Sequence, residues 1–238
     1  MAYSLPDDVH QRPVTIDGAG TLGRRIATVF AAGGSDVRLF DTSAEQLEAG
    51  RDHVEQHVAE VQQTLDLRPD RTGGVEAAGD LSSAVDGAWL VIESVPERVD
   101  VKIDVFGELD RVAAPDAILA TNSSSLPSRL VIDKVRHPER VLNMHYQQPP
   151  ELNAVELMSC GRTDPAIIDA LMDKLPDYGL APFRLMDRVG LDVVLAIEEH
   201  YAEVRDGIPE GPRTLLRPYV DEGRLGTKSG GGFYDEAS

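Results

Sequence analysis

The sequence predicts an α/β fold in which a doubly wound, mostly parallel sheet is followed by a short helical C-terminal tail. Short apolar runs typical of buried strands alternate with helical stretches along most of the chain. A glycine-rich turn, GAGTLG, separates the first predicted strand from the first predicted helix. Beyond residue 187 the pattern changes to two helices and a glycine-rich end. We therefore expect a sheet domain at 1–187 and a helical segment at 188–238.

The turn at residues 18–23 has the spacing of a dinucleotide-binding fingerprint, which makes the predicted sheet Rossmann-type. Gly18 permits the tight turn, Gly20 lets a diphosphate approach the backbone, and Gly23 lets the helix pack closely. The N–H groups at the helix start, at Thr21 and Leu22, are expected to face the phosphates. The alternative is a glycine turn in some other α/β protein.

Asp41 ends the second predicted strand, where a carboxylate binds both hydroxyls of the adenine ribose and repels a 2′-phosphate. This predicts NAD rather than NADP. The alternative is a helix N-cap, because Thr42, Ser43 and Glu45 follow.

Asp17 fits this pattern poorly, because an apolar residue normally packs at that strand end. A carboxylate there is expected to be exposed at the edge of the sheet or close enough to the phosphates to weaken their binding. The sequence suggests no function for it.

Further elements follow from the spacing of apolar residues and from Pro and Gly breaks. Strands are predicted near 75–78, 89–92, 117–121, 141–145 and 155–158, and helices at 44–66, 99–113, 126–135, 165–178, 189–204 and 213–222.

The composition excludes several classes of function. Asp and Glu number 41 against 23 Lys and Arg, and the net charge of −18 disfavours nucleic acid and anionic membranes as partners. The single cysteine, Cys160, suits a reducing compartment. No secretory signal or transmembrane run is present, so we expect a cytoplasmic protein.

Polar residues follow three predicted strands of the second half: Asn122 to Ser125, His145 and Glu156. Ligands of an open parallel sheet bind outside the carboxyl ends of its strands. A His beside a hydroxyl and a carboxylate suits alcohol–ketone redox chemistry, since the imidazole can take the alcohol proton. Taken singly, a strand-end His is more often structural and a serine run is commonly a turn.

The ordered segments GAGTLG, VIESVPERVDVK, ATNSSSL, MHYQQPPELNAVEL, GLAPFRLMDRVGLD and GTKSGGGFY resemble the 3-hydroxyacyl-CoA dehydrogenase family from end to end. The resemblance implies an NAD-dependent oxidoreductase that interconverts 3-hydroxyacyl and 3-ketoacyl compounds. It implies that His145 is the acid/base, that Glu156 is its partner and that Ser124 binds the substrate oxygen. It places Glu97, Lys102, Asn122 and Lys228 at the cofactor, although Glu97 and Lys102 could instead form a helical ion pair and Lys228 could be solvated.

The chain departs from the family in three places. Gln148 replaces an active-site asparagine, so we expect its amide to bind the substrate. About 50 residues that the family carries before its MGPFELLDxVGLD segment are missing, judged from the resemblance. The acidic helix at 44–66 has His57 and Thr64 where CoA-binding members have a serine and a lysine.

The acidic helix favours a family relative that acts on a β-keto ester, hydroxy acid or sugar acid instead of a CoA thioester. A protein that binds NAD but is catalytically weak is the other alternative. The tail contains apolar stripes, including Leu191, Leu195 and Ile197. Because the tail looks too small to bury them alone, we expect a homodimer.

Overall fold

The computed structural model describes residues 3, 6–147, 149–150, 154–174, 182–204 and 207–234. The chain forms two compact units, Met1–Gly179 and Leu180–Ser238. The domain boundary predicted at residue 187 lies inside the second unit. The predicted division into a sheet domain and a helical segment stays a prediction.

The first unit is built on a seven-stranded sheet with the order β3-β2-β1-β4-β5-β6-β7. All neighbouring strands are parallel except β6 and β7, which are antiparallel. The predicted doubly wound, mostly parallel sheet is therefore confirmed. The strands are β1 (Val14–Asp17), β2 (Val37–Phe40), β3 (Val75–Ala77), β4 (Leu90–Glu93), β5 (Ile118–Thr121), β6 (Val141–Gln147) and β7 (Ala154–Ser159).

Helices cover both faces of this sheet. Successive residues of β4 show it: Leu90 and Ile92 belong to one buried apolar cluster with Phe30, whereas Val91 belongs to another with Phe106. Strands buried on both faces are expected to be continuously apolar, as these are. The helices of this unit are α1 (Thr21–Ala32), α2 (Ala44–Thr64), α3 (Leu81–Val85), α4 (Val99–Val112) and α5 (Pro165–Lys174).

Two features of the first unit differ from the prediction. The short helix α3 was not expected. The helix predicted at 126–135 is wrong, since only a 3₁₀ turn forms at Ser128–Leu130. There the Asn143 side chain accepts a hydrogen bond from the Ser128 N–H and donates one to the Leu126 carbonyl, at 2.7 and 3.0 Å. This β6 side chain replaces the backbone bonds of a helix.

The second unit contains three helices: α6 (Pro182–Val189), α7 (Leu191–Val204) and α8 (Gly211–Asp221). The single helix predicted from residue 189 is preceded by α6, and the two are separated at Gly190, which has a φ of 105°. Such a conformation ends a helix and favours glycine.

This unit has an apolar cluster of its own, in which Leu191, Leu195 and Leu216 are buried. The expectation that the tail buries no core of its own is therefore wrong. The Asp187 carboxylate also accepts hydrogen bonds from the backbone N–H groups of Phe233 and Tyr234, both at 2.9 Å. These bonds fix the glycine-rich end of the chain against α6.

A search of the described ranges finds no helix with the length and apolar character needed to cross a bilayer.

Candidate active site

The turn between β1 and α1 has the shape that the glycine fingerprint requires. Gly18 has a φ of 107°, and a Cβ atom there would lie 2.7 Å from the carbonyl carbon of Ser94. A Cβ atom on Gly23 would collide with the carbonyl oxygen of Gly18, so α1 packs directly on the turn. Above Gly20, a Cβ atom would meet nothing within 4 Å. The backbone at Gly20 is therefore open, at the position predicted for the approach of a diphosphate.

No side chain caps the start of α1, whose N-cap is Gly20. The first amides of a helix lack intrahelical acceptors, so those at Thr21 and Leu22 are free to bind an anion. Open backbone at Gly20 and an uncapped helix N-terminus together fit the diphosphate of a dinucleotide.

The Asp41 carboxylate links the end of β2 to this turn. One of its oxygens accepts a hydrogen bond from the Ala19 N–H at 2.9 Å, and the other accepts one from the Ser43 N–H at 2.8 Å. The N-cap of α2 is Ser43, whose hydroxyl accepts from the Gln46 N–H. Asp41 is therefore not the N-cap of α2, and its carboxylate binds the fingerprint turn instead.

Two cavities open at this end of the sheet. The large cavity, of about 780 Å³, lies beside β1, β2 and α4 and is lined by Asp17, Gly18, Gly20 and Asp41 among others. The small cavity, of about 370 Å³, contains most of the predicted site residues. These are Gly20, Thr21, Leu22, Glu97, Lys102, Asn122, Ser124 and His145.

Asp17 is not exposed at the edge of the sheet, and none of the described residues pairs with it. Its residue is only 4% exposed and lies on a central strand, where its register partner on β4 is Glu93. Burial raises the pKa of Asp17 to about 7, helped by the negative charges of Glu93 and Asp41 and opposed by Lys102. A carboxyl group that titrates near neutral pH therefore lies directly before the glycine turn.

A buried charge network connects β4, α4 and β5. The Lys102 ammonium donates to the Glu93 carboxylate at 2.6 Å and lies 3.4 Å from Glu97. The other Glu93 oxygen accepts from the Thr121 hydroxyl at 2.6 Å. Glu97 and Lys102 thus form an ion pair, but Glu97 lies before α4 and not within it. The nearer partner of Lys102 is Glu93, which the sequence prediction missed. An acid ending a strand buried on both faces was the available signal.

Glu97 also holds the serine loop after β5. Its carboxylate accepts hydrogen bonds from the hydroxyls of Ser123 and Ser125, the latter at 2.7 Å. Burial acts to raise the pKa of Glu97, but the bonds from the two serines and from Lys102 outweigh it and lower that pKa. Ser123 and Ser125 were not predicted as site residues, although the serine run that contains them was.

The loop leaves Ser124 exposed in the small cavity. Asn122 is buried, and its side-chain oxygen accepts a hydrogen bond from the Tyr146 N–H at 2.8 Å. That bond joins the loop after β5 to the strand that carries His145.

His145 and Glu156 face each other across the antiparallel pair of β6 and β7, where they are direct register partners. The distance from His145 Nδ1 to Glu156 Oε2 is 2.9 Å. The His145 side chain is 19% exposed and that of Glu156 is 43% exposed. One nitrogen of the imidazole is thus held by Glu156, while the ring still borders the small cavity.

Two predicted site residues are not placed with the others. Gln148 lies outside the described residues. Lys228 belongs to the second unit, where its ammonium pairs with Asp192 on α7. Its predicted contact with the cofactor stays a prediction.

Residues 13–188 match the NAD binding domain of 3-hydroxyacyl-CoA dehydrogenase, and residues 148–236 match the C-terminal domain of the same family. This chain belongs to the 3-hydroxyacyl-CoA dehydrogenase family. It is an NAD-dependent oxidoreductase, and the residues of the fingerprint turn and Asp41 fit that cofactor.

Individual relatives agree. The chain is 33% identical to a 3-hydroxybutyryl-CoA dehydrogenase of Mycobacterium tuberculosis (strain ATCC 25618 / H37Rv), covering 95% of this chain and 99% of that protein. That comparison runs over 284 positions against 238 residues here, so it includes positions that this chain lacks. The missing segment inferred from the resemblance is consistent with this.

A second relative has a different name. A 5-formyl-3-hydroxy-2-methylpyridine 4-carboxylate 5-dehydrogenase of Mesorhizobium japonicum is 32% identical, covering 87% of this chain and 67% of that protein. Among solved structures, (S)-3-hydroxybutyryl-CoA dehydrogenase from Ralstonia eutropha has the same fold, with a TM-score of 0.62 at 22% identity, covering 94% and 98% of the two chains.

Asp17→Asn is expected to stabilise the protein at pH 8 and to have little effect near pH 4. The folded pKa of about 7 lies above the ordinary aspartate pKa of 3.8, so folded protein holds a proton that unfolded protein releases between these values. The free energy of unfolding therefore falls as pH rises through that window, by about 1.4 kcal/mol per pKa unit. Thermal melts of both proteins at the two pH values check this. The exposed Asp70→Asn serves as control, and equal melting temperatures for wild type and Asp17→Asn at pH 8 would contradict it.

Proposed function

We propose that this chain interconverts 3-hydroxyacyl and 3-ketoacyl compounds, with His145 as the general acid/base and Glu156 as the group that orients it. The observation that carries the proposal is the 2.9 Å contact between His145 Nδ1 and Glu156 beside a cavity that also contains Ser124. A His fixed on one nitrogen by a carboxylate, with the other nitrogen at a cavity, is suited to proton transfer.

The contact determines how each group acts. An ionised Glu156 accepts from Nδ1–H, which leaves Nε2 with a lone pair for the hydroxyl proton of a 3-hydroxy substrate. As His145 takes that proton, Glu156 stabilises the resulting imidazolium. NAD held at the fingerprint turn would supply the acceptor for the hydride that leaves C3. Ser124 binds the same substrate oxygen and keeps it in line with His145.

The serine loop and the charge network support this arrangement. Glu97 holds Ser123 and Ser125 on either side of Ser124, and Lys102 holds Glu97 in turn. Asn122 ties the loop to β6. The reacting side chains are thus positioned by bonds between neighbouring strand ends, as a preorganised site requires.

A second candidate substrate class is a β-keto ester, hydroxy acid or sugar acid without CoA. The helix α2 supports it, because Arg51 is its only arginine or lysine and pairs with Asp52 at 2.7 Å. The pyridine carboxylate named for one relative supports it too. One observation opposes it. Burial, His57, Arg24 and Arg25 together lower the pKa of His53 on α2 to about 4, which shows that the two arginines of α1 lie near this face. This face therefore carries positive charge that α2 alone does not show.

His145→Gln is expected to reduce kcat/KM for NADH-dependent ketone reduction by about 100- to 10,000-fold, the range typical of a lost acid/base. Glu156→Gln should cause a smaller loss, and NADH affinity should stay unchanged in both. Assays with a short 3-ketoacyl-CoA and with the matching ethyl ester separate the two substrate classes, because an enzyme that uses the CoA moiety loses efficiency on the ester.

The matched control is His137→Gln, since His137 forms a similar pair with Glu139 at 3.2 Å on the surface. This variant should keep full activity. A His145→Gln protein that binds NADH and retains wild-type turnover would contradict the proposed role.

We also propose that the protein is a cytoplasmic homodimer. On α7, Leu191 and Leu195 face the cluster of the second unit, but Val193, Ile197 and Val204 are 42%, 45% and 58% exposed. An apolar stripe of this kind is typical of an interface, and a two-fold axis would let two such stripes cover each other.

Ile197→Glu is expected to weaken the dimer, because it places a carboxylate in the apolar stripe. Sedimentation at micromolar concentration should give about twice 25.8 kDa for wild type and a smaller mass for the variant. Leu130→Glu, at an apolar residue 42% exposed in the first unit, is the control. A stable, active wild-type monomer would show that the dimer proposal is wrong.

A further inference from the structure

Three carboxylates meet at the carboxyl ends of three neighbouring strands. Asp41 follows β2, Asp17 ends β1 and Glu93 ends β4, in the order β2-β1-β4 across the sheet. Asp17 is thus the middle member, with Glu93 as its register partner on one side. Like charges at neighbouring strand ends repel each other, so ionisation of all three carboxyl groups at once is unfavourable.

The outer two carboxylates have partners that stabilise their charge. Asp41 accepts from the backbone N–H groups of Ala19 and Ser43. Glu93 accepts from Lys102, from the Thr121 hydroxyl and from the Val95 N–H at 2.7 Å.

Asp17 has no such partner. Within the described part of the chain its carboxyl group forms no hydrogen bond or ion pair, although the residue is only 4% exposed. It lines the large cavity directly before Gly18. Asp17 therefore borders the same space as Gly18 and Gly20 of the fingerprint turn.

The charged groups that face Asp17 are almost all negative. The short helix α3 contributes Leu81 to the cavity and no charged residue. Among the described residues, the cation that acts on Asp17 is the Lys102 ammonium, which is already paired with Glu93 at 2.6 Å. The facing groups are Asp41 after β2, Glu93 of β4 and Lys102 of α4, and Asp104 and Glu108 of α4 line the same cavity.

We propose that Asp17 is the proton-binding residue of the dinucleotide site, which takes up a proton as NAD or NADH enters and stays neutral while the cofactor is bound. The neutral carboxyl can donate a hydrogen bond to the ligand, whereas the ionised form repels the diphosphate held by the next residues of the turn.

The direction of the resulting pH dependence follows from linkage. In the free protein the pKa of Asp17 is about 7. A bound diphosphate adds negative charge and excludes water, and both effects raise that pKa further. Below the free pKa, Asp17 is protonated in both states and affinity is flat. Above it, binding requires a proton, so affinity falls as pH rises, until the bound pKa is also passed.

The test is calorimetric titration of the full chain with NADH at pH 5.5 and at pH 8, in two buffers of different ionisation enthalpy. The difference between buffers gives the number of protons taken up on binding. We expect uptake of a substantial fraction of one proton at pH 8 and none at pH 5.5. Because pH 8 lies only one unit above the free pKa of about 7, the Kd should be up to about tenfold higher at pH 8 than at pH 5.5.

Asp17→Asn and Asp17→Leu should both abolish the uptake at pH 8 and flatten the Kd across this range. Two replacements are used so that a folding defect in one leaves the other informative, and the wild-type proton count needs neither. Asp104→Asn removes an exposed carboxylate from the same cavity and should keep the uptake.

Wild-type protein that binds NADH with no proton uptake at pH 8 would overturn the proposal, and so would uptake that persists in both Asp17 variants. The inference depends on the dinucleotide site and not on the choice of substrate. Its failure in these titrations would leave the proposed acid/base roles intact, because those are tested by turnover.

Discussion

The parallel pairing of β1 with β4 is the constraint on which the rest of this structure depends. Val14 pairs with Leu90 and Asp17 pairs with Glu93, so both strands end at the same level although about 75 residues separate them. Everything that follows a strand end in sequence is therefore brought to one edge of the sheet. The glycine turn, the charge network and the serine loop meet there for that reason, as expected at the crevice of a doubly wound sheet.

The sheet also explains how the charged and polar groups of the site are held in place. The buried Lys102–Glu93 pair keeps the strand ends together, and Glu97 extends it to the serine loop. Because β7 runs antiparallel to β6, Glu156 lies directly opposite His145. The cofactor side and the proposed acid/base side thus rest on separate strand pairs of one sheet.

Much of this could be predicted from sequence. The glycine spacing, Asp41 and the apolar strand runs follow local rules, so the fold and the turn were predictable residue by residue. Register was not, because pairing across β6 and β7 depends on contacts that no single segment encodes. His145 and Glu156 were therefore joined by family resemblance, and the structure supplied the distance. The break at Gly190 also escaped prediction, since the flanking helices share one apolar pattern.

Asp17 shows the limit most clearly. Its sequence position suggested exposure at the sheet edge or closeness to the phosphates, but its environment depends on three other segments that carry Asp41, Glu93 and Lys102. Local propensity contains no information about which charges converge in space. An acid at a buried strand end is a place where the sequence breaks a local rule, and such places are enriched in functional sites.

The central claim is hydride transfer from NADH to C3 of a 3-keto substrate at the His145 site. The most direct measurement uses NADH with deuterium at both C4 positions and NMR of the product formed from a 3-ketoacyl-CoA or the matching ester. Our account predicts one deuterium on C3 of the 3-hydroxy product, at a rate that collapses in His145→Gln. NADH left unconsumed with both substrates, in protein that binds it, or a product without deuterium at C3 would contradict it.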